Sequence, residues 1–534
     1  MMLGEEKKVD FRPKGTMSWI VDNLVTIIFV IFVLWGFSVS KDIKTYFFLS
    51  ELCNRIFRNS FLVLSLIIPV LAGLGLNFGI VIGAMSGQAA ILLVRYFDIG
   101  GVNGFLLCFV IAFFFAAICG YFTGKLYNKT RGQEMIASLI VGFFANGIYQ
   151  FIFLFVVGAV LIVPATHPMI KPDGVGIRMT VDLKTAEEGG LKYALDNIYK
   201  IPFVHALLII AVVILIMMVI VYYLNVKNGQ AHKNRPVSFC FNAALCIATA
   251  VFAFYVMSAT PKLFHTVREL NTIAGSLNEK ADIEEITSKL KAIISGLNTE
   301  VENADESMAP KLKAVASDIT SKVMPNLDKP NMQRGVVGLI GSSATKLNNA
   351  AIEKSPNALV ANIAQVTTVP VITGLFIIAL CIFTILIMKT KLGQDFRSVG
   401  QNQHIAEVSG INVDRTRIIA TMISIVLAAW GQLIFLQNVG TLNTYGAHLQ
   451  IGMFSVAALL VGGASTSKAS VKNAIFGVIL FNAMFIISPE IGKSLFDQAM
   501  LGEYFRSFMV YGVIGAALGI YVWKDIKKSK LDVE

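Results

Sequence analysis

The chain has 534 residues, of which 55% are hydrophobic and only 15% are charged, and its formal net charge is +11. Soluble globular proteins carry about 25% charged residues, whereas this chain holds apolar runs of about 20 residues, the length that crosses a bilayer as a helix, so we predict an all-α polytopic membrane protein. The surplus of Lys and Arg is typical of the cytoplasmic loops of such proteins, and it does not indicate binding to nucleic acid.

Apolar segments recur along the whole chain, and we count about twelve of them, or about ten if some short ones do not cross separately. Basic residues flank them in a pattern that predicts cytoplasmic N- and C-termini. One loop fits this topology poorly, because residues 38–59 are rich in Lys and Arg and yet are expected outside. The predicted segments are residues 19–37, 60–77, 79–95, 104–124, 136–163, 203–224, 237–259, 367–388, 417–437, 449–463, 471–488 and 506–523.

These segments divide the chain into regions of different character. The polar start contains no evident signal peptide, so the first span is expected to direct the chain to the membrane. The six cysteines form no C-x-x-C pair and predict neither a metal site nor a disulfide framework. The predicted regions are a cytoplasmic N-terminus (1–18), an N-terminal transmembrane region (19–259) with an outside loop (164–202), a helical extracytoplasmic insert (260–366), a C-terminal transmembrane region (367–523) with a cytoplasmic loop (389–416), and a cytoplasmic tail (524–534).

Two short, polar segments that contain glycine, residues 79–94 and 451–463, occupy corresponding places in the two transmembrane regions. Such a pair is typical of broken helices that line a solute path. The alternative is that their glycines, and single amides such as Asn146, Gln150 and Gln432, serve only helix packing. The candidate path residues are Asn77, Gly83, Ser86, Gln88, Gly452 and Ser455.

The insert at 260–366 contains no apolar run of membrane length. Its apolar residues recur at steps of three and four, which predicts helices over 263–277, 283–301 and 305–319. Asp282 and Asp305 are the predicted caps of the second and third helices. The insert is either a packing cap or a docking ledge for an extracytoplasmic partner, and the sequence leaves both interpretations open.

A polar loop between two apolar spans, residues 390–413, reads TKLGQDFRSVGQNQHIAEVSGINV. Its apolar residues predict two short helices that meet at a turn built on Gly400 and Asn402. A short helix that lies across the membrane surface can push or pull on the spans at its two ends, and a rigid-body motion in a partner subunit could reach the spans in this way.

This loop resembles that of bacterial ABC importer permeases of the ribose, simple-sugar, nucleoside and branched-chain amino-acid group. Their pattern is T-x-x-G-x-x-x-R-A-x-G-x-N-x-x-A-A-x-x-x-G-I-x-V, in which this chain has Ser398 and Ile405 in place of two alanines. Two weaker resemblances, to the nucleoside branch, are at 120–142, which contains Glu134, and at 76–88, where Val81 replaces an expected Glu. The matching loop residues are Thr390, Gly393, Arg397, Gly400, Asn402, Ala406, Gly410, Ile411 and Val413.

The resemblance implies a permease subunit in a bacterial inner membrane that works with three partners. These are a cytoplasmic ABC ATPase, a second permease subunit in a homo- or heterodimer, and an extracytoplasmic substrate-binding protein. The implied solute is a nucleoside or simple sugar, with branched-chain amino acids as the alternative. The residues implied in coupling to the ATPase are Gly393, Arg397, Gly400, Asn402, Ala406, Gly410 and Ile411.

The chain is not expected to be an enzyme or to hold a cofactor itself. It has no G-x-x-x-x-G-K-[ST] loop, no catalytic arrangement and no metal cluster, so ATP and Mg would bind to the ATPase partner. One alternative is a self-sufficient secondary transporter or channel, but such carriers usually need buried carboxylates, and the predicted spans contain almost no ionisable groups. A second alternative is a membrane scaffold that signals through residues 260–366.

Overall fold

The computed structural model describes residues 23–40, 43–161, 163–164, 167–184, 190–227, 236–277, 283–327 and 333–531, and every structural statement below concerns these ranges. Helices account for nearly all regular structure there. The N-terminal helices are α1 (Leu24–Val39), α2 (Thr45–Leu71), α3 (Ile80–Tyr96), α4 (Gly101–Lys129), α5 (Glu134–Ala159), α6 (Phe203–Lys227) and α7 (Pro236–Ala259).

The remaining helices form the insert and the C-terminal part of the bundle. The insert helices are α8 (Leu263–Leu277), α9 (Ile283–Glu302), α10 (Ala309–Asp318), α11 (Gln333–Lys354) and α12 (Ala358–Ala364). The C-terminal helices are α13 (Val371–Ile387), α14 (Lys391–Gln401), α15 (Gln403–Val408), α16 (Val413–Val439), α17 (Ala447–Val461), α18 (Val471–Phe496) and α19 (Ala499–Leu531).

The prediction of an all-α polytopic membrane protein is confirmed. Within the described ranges seven helices are long and apolar enough to cross a membrane, or eight if the bent pair α13 and α14 counts as one span. Helices suit this setting because they satisfy their own backbone hydrogen bonds where no water is present. The helices α1, α3 and α17 are apolar but shorter, so the number of about twelve crossings stays a prediction.

The prediction of an outside loop at 38–59 is wrong over most of its length. Residues from Thr45 onward are helical and belong to α2, which continues to Leu71. Its charged side chains are accommodated by neighbours: Arg55 pairs with Glu51 one turn away at 2.7 Å, and the Arg58 guanidinium lies 5.4 Å from the centre of the Phe435 ring. The helix therefore carries ionisable groups that the sequence analysis did not expect inside a span.

The two transmembrane regions repeat one order of helices. The run α2, α3, α4 and α5 is long, short, long and long, and the run α16, α17, α18 and α19 has the same order. Helix α16 lies at the centre, against α2, α3 and α4. Small residues permit this approach: a Cβ added to Gly83 of α3 would lie 2.4 Å from the Ile425 carbonyl oxygen, and one added to Gly124 of α4 would lie 2.9 Å from the Ile418 Cα.

The long helix α2 connects two opposite faces of the bundle. Its last turns meet α14, where Gly73 touches Gly400, and we call that side the loop face. Near its start the Ser50 hydroxyl accepts a hydrogen bond from the Thr367 backbone N–H, just after the insert, and we call that side the insert face. The two ends of α2 therefore identify the two sides of the bundle.

Two short antiparallel strand pairs lie at the insert face. β1 (Thr180–Asp182) pairs with β4 (Thr441–Asn443), and β2 (Lys200–Ile201) pairs with β3 (Val369–Pro370). The pairing fixes the segment after α5 to the end of α16 and the start of α13. The buried Asp196 carboxylate reinforces this junction, because it accepts hydrogen bonds from the side chains of Gln437, Asn438 and Thr373.

The insert has an apolar core of its own. Leu270 of α8, Leu290 of α9, Leu312 of α10 and Leu347 of α11 are among its fully buried side chains. Three of its helices start within a few residues of the predicted positions. The cap predicted at Asp305 is wrong, because α10 begins at Ala309 and no side chain caps it; the other predicted cap, Asp282, lies outside the described residues.

Candidate functional site

The loop at 390–413 folds into the two predicted short helices, α14 and α15, and α14 makes an angle of 74° with α13. Three side chains cap the N-termini of the helices that follow them. The Thr390 hydroxyl accepts from the Gly393 N–H at 3.3 Å, Asn402 Oδ1 from the Ile405 N–H at 3.1 Å, and Asn412 Oδ1 from the Arg415 N–H at 2.9 Å. Each acceptor satisfies a helix N-terminus that would otherwise lack a partner. The loop is therefore an ordered element that crosses the bundle.

Helix α14 is fixed to the end of α2 by a backbone contact. A Cβ on Gly400 would lie 2.1 Å from the Leu71 carbonyl oxygen, and a Cβ on Gly73 would lie 2.8 Å from the Gly400 Cα. Gly73 also has φ +75°, a conformation that favours glycine. Phe396, in the same helix, is fully buried. A displacement of α14 must therefore displace the turn that leads from α2 into α3.

The outer side of the two short helices is exposed. Arg397 and Asn402 face solvent, and the apolar side chains of Ile405 and Val408 are 62% and 77% exposed. Large apolar side chains exposed next to charged ones are typical of a protein-binding surface. We call Arg397, Asn402, Ile405 and Val408 the contact surface.

The other predicted coupling residues lie beneath the contact surface or at the turn that follows it. Gly393 is buried against the backbone of Met388, and Gly410 turns the chain with φ +81°. Ala406 is buried beside Val399 and Val413, and Ile411 packs on the same small cluster. The predicted set thus contains both exposed residues and residues that shape the loop.

Two ion pairs join α16 to the segment between α4 and α5. Arg417, completely buried, donates to a Glu134 carboxylate oxygen at 2.6 Å and to the Tyr127 carbonyl at 3.1 Å. At the surface, Arg131 pairs with Asp414 at 2.6 Å. The sequence alone indicates no role for Arg417 and no partner for Glu134, although both lie in or beside the segments that carry the resemblances.

The predicted path residue Asn77 begins a line of buried polar groups along α3. Its Oδ1 accepts from the Tyr127 hydroxyl and from the Gly79 N–H, both at 2.9 Å, while its Nδ2 has no partner among the described residues. One helix away, Gln432 of α16 lies against Gly87, and neither its Nε2 nor its Oε1 is paired in the described part of the chain. Unpaired buried amides are positions where water or solute is expected to bind.

Gln88 continues this line into a cluster of side chains from three helices. Its Oε1 lies 3.0 Å from His448 Nδ1, and His448 Nε2 lies 2.8 Å from Asn146 Oδ1. The Tyr149 ring is 5.1 Å from the His448 ring, and its buried hydroxyl has no partner in the described ranges. The cluster joins α3, α5 and α17. His448, 360 positions from Gln88, was missed because one sequence carries no signal for a contact at that distance.

The remaining predicted path residues lie at helix contacts. A Cβ on Gly452 would be 2.5 Å from Val81 Cγ2, so α17 packs directly on α3 there; Gly83 packs on α16 as described above. The Ser86 and Ser455 hydroxyls are buried and donate to carbonyls one turn back in their own helices. The structure therefore brings Gln88 together with the unpredicted His448, and it surrounds both with closely packed small residues.

The chemistry of this cluster is that of neutral hydrogen bonding. Amides, a histidine and a phenol can donate and accept, and no carboxylate hydrogen-bonds to Gln88, His448 or Asn146 in the part of the chain that the structure describes. Among the described residues, no group of three His, Cys, Asp or Glu side chains is placed to hold a metal ion. The arrangement suits an uncharged, hydroxyl-rich solute.

The C-terminal part of the chain is similar to a known protein family. Residues 328–518 match the family model described as branched-chain amino acid transport system / permease component. That range contains α14, α15, α16 and α17, and hence the contact surface, Arg417 and His448. No solved structure matches the chain.

Three curated relatives illustrate the similarity. The xylose transport system permease protein XylH of Haemophilus influenzae is 31% identical over 142 residues, 27% of this chain and 35% of the relative. The nucleoside ABC transporter permease protein NupB of Lactococcus lactis is 32% identical over 124 residues, 22% of this chain and 34% of the relative. The autoinducer 2 import system permease protein LsrC of Klebsiella pneumoniae is 36% identical over 81 residues, 15% and 23% of the two chains.

The chain spans about a third of the length of the first two relatives. All three relatives are named as permease proteins, which are not enzymes themselves. The predicted resemblance to ABC permeases of the sugar and nucleoside group is thereby confirmed: residues 328–518 match the permease family model, and the relatives include a xylose and a nucleoside permease protein.

Proposed function

We propose that this chain is the transmembrane permease subunit of an ATP-driven importer. The single observation that carries the proposal is the contact surface on α14 and α15, which is exposed on its outer side and fixed to α2 through the Gly73–Gly400 contact. An exposed surface fixed to a span allows a partner outside the membrane to deliver work to the bundle. The family match over residues 328–518 supports the same role.

The proposed driving partner is a cytoplasmic ABC ATPase that binds ATP and Mg, so this chain needs no cofactor of its own. Its dimer would press on Arg397, Asn402, Ile405 and Val408. A second permease subunit, identical or different, would complete the assembly, and an extracytoplasmic substrate-binding protein would deliver the solute. The surroundings would be the inner membrane of a bacterium, with the loop face and both termini in the cytoplasm. The insert at 260–366 would then face outward, as a docking ledge or a spacer.

The proposed solute is a nucleoside or a simple sugar, and it would pass the line from Asn77 to the cluster around Gln88 and His448. Two facts support an uncharged, hydroxyl-rich solute: these groups are amides, rings and hydroxyls, and several of their atoms have no partner among the described residues. The relatives are named for xylose and nucleoside transport, which fits this chemistry. Branched-chain amino acids are the less favoured alternative, because a zwitterion would need charged partners here.

Co-purification from the native membrane is the first test. The tagged chain, solubilised in mild detergent, should bring an ATPase and a binding protein with it. In liposomes the complex should take up xylose or a nucleoside only when ATP is present. A lone chain that moves solute without ATP would refute the proposal and favour a self-sufficient carrier. That alternative keeps some support, because Glu51 and Glu134 do lie within long apolar helices.

Charge reversal tests the contact surface directly. Arg397→Glu should abolish ATP-dependent uptake and weaken retention of the ATPase while the protein stays folded in the membrane, since Arg397 is exposed. Lys313→Glu makes the same change on an exposed residue of the insert and should leave ATPase retention unchanged. Normal uptake by the Arg397 variant would exclude this surface from coupling.

A further inference from the structure

A polar crevice of about 330 Å³ lies where the insert meets the start of α2. Residues of α8, α11 and the end of α12 form one side, and Tyr46 of α2 closes the other. Sites for small ligands have volumes of roughly 300–1,000 Å³, so the crevice is large enough for a small molecule. It lies at the opposite end of α2 from the contact surface and is separate from the line between Asn77 and His448.

The crevice is lined by the guanidinium of Arg268, which has no carboxylate partner among the described residues. Arg268 donates one hydrogen bond, from Nη2 to the Ala364 carbonyl at the end of α12, and in the described part of the chain it forms no ion pair. Burial lowers the pKa of Arg268, and no carboxylate offsets that effect. A half-buried cation that keeps most of its N–H groups free is a strong donor site for an anion.

Neutral polar groups complete the lining. Asn348 donates to Gln365 Oε1 at 3.2 Å, and Gln365 donates to the Ala361 carbonyl at 2.9 Å, so both amides are held in place. The exposed Asn271, one turn after Arg268, also lines the crevice. Donors of this kind suit the polar part of a small solute beside its charged end.

We propose that the crevice around Arg268, Asn271 and Asn348 is a binding site for a small polar anion that carries a carboxylate or phosphate group. The anion binds to the free N–H groups of Arg268, and its polar body contacts Asn271 and Asn348. Because Tyr46 belongs to α2 and the other lining residues belong to the insert side, a bound anion holds the insert against the outer end of α2. The site does not depend on the proposed transport function, since none of its lining residues belongs to the contact surface or to the cluster around Gln88 and His448.

The test uses the full chain in detergent after removal of bound lipid. Inorganic phosphate and succinate are titrated at constant ionic strength with chloride as the balancing anion, and amide hydrogen exchange is followed in α8 and α11. We expect saturable protection by at least one of the two anions. Arg268→Gln should weaken the apparent affinity about 10- to 100-fold, because it removes a charge-assisted hydrogen bond.

Two further variants keep the proposal falsifiable if Arg268→Gln folds poorly. Asn271→Asp places a carboxylate one turn from Arg268 on an exposed position and should abolish protection without disturbing the fold. Lys313→Gln removes an exposed positive charge from α10, away from the crevice, and should leave the affinity unchanged. A saturable response that is equal in all variants, or no saturable response to either anion, would overturn the proposal.

Native mass spectrometry separates the two sources of such an anion. If the protein taken from membranes retains a phospholipid that Arg268→Gln loses, the ligand is a lipid headgroup. If no lipid is retained and the soluble anions protect the insert, the ligand is a free solute. Both results support the site.

Discussion

The buried ion pair between Arg417 and Glu134 allows a quantitative prediction. The side chain of Arg417 is 0% exposed and that of Glu134 is 10% exposed. Removing one member of a buried pair leaves the other charge without compensation and costs about 3–5 kcal/mol. We therefore expect Glu134→Gln to lower the free energy of unfolding by about 3 kcal/mol or more.

The surface pair between Arg131 and Asp414 is the matched control, since it joins the same two segments. Its side chains are 40% and 56% exposed, and exposed pairs contribute about 0–1 kcal/mol. Asp414→Asn should therefore change the stability by less than about 1 kcal/mol. Comparing Glu134→Gln with Asp414→Asn therefore isolates the effect of burial on the free energy of unfolding, because both remove the carboxylate of an Arg–carboxylate pair in the same region.

The assay is equilibrium unfolding of the purified chain in mixed micelles of increasing denaturing detergent. The double variant Glu134→Gln with Arg417→Met should recover most of the loss, because replacing a buried pair by neutral groups of similar volume is often close to neutral. If Glu134→Gln costs no more than Asp414→Asn, or if the double variant is as unstable as Glu134→Gln alone, the buried charge is not what holds α16 to α5.

Three other predictions concern the loop and the insert. Gly400→Ala should cost about 1–3 kcal/mol and reduce ATP-dependent uptake, because its Cβ would lie 2.1 Å from the Leu71 carbonyl oxygen. Uptake and detergent unfolding of this variant check the prediction, and Gly338→Ala in α11, where an added Cβ meets nothing within 4 Å, is the control. Asn402→Ala removes the cap of α15 and should cost about 1 kcal/mol locally, which faster amide exchange at residues 403–408 would reveal. Lys322 and Lys346 hold the pKa of Asp318 below its ordinary value, so their stabilisation of the insert is fully present above the unfolded value of about 3.9 and is lost as the pH falls through the folded value. Asp318→Asn should therefore lower the melting temperature of the insert at pH 7, and this difference should shrink as the pH falls below about 3.9.

Regular periodicity explains which parts of the fold were predictable. The insert stripes through Leu270, Leu290 and Leu312 predicted helices because their apolar positions alone decide which face is buried. The two helices of the loop were predictable because Asn402 acts within its own neighbourhood, as a cap for the residues that follow it.

Residues whose environment comes from distant parts of the chain were not predictable. Arg55 and Arg58 indicate a loop when considered locally, and only contacts with Glu51 and with Phe435 of α16 make them acceptable in a helix of the bundle. The contact between Gln88 and His448 was not predictable for the same reason, since His448 comes from the other half of the chain. A single sequence shows the polarity of such residues but not the partners that compensate it.

The continuity of α2 has a consequence for how the two sides of the protein communicate. The helical run Thr45–Leu71 has 27 residues and is about 40 Å long. It carries the Ser50–Thr367 contact near one end and the Leu71–Gly400 contact at the other. A force applied to the insert therefore acts on the same helix that α14 touches at its other end. Under the proposed function, an antibody fragment that binds the insert should therefore change the rate of ATP hydrolysis by an ATPase bound to the contact surface.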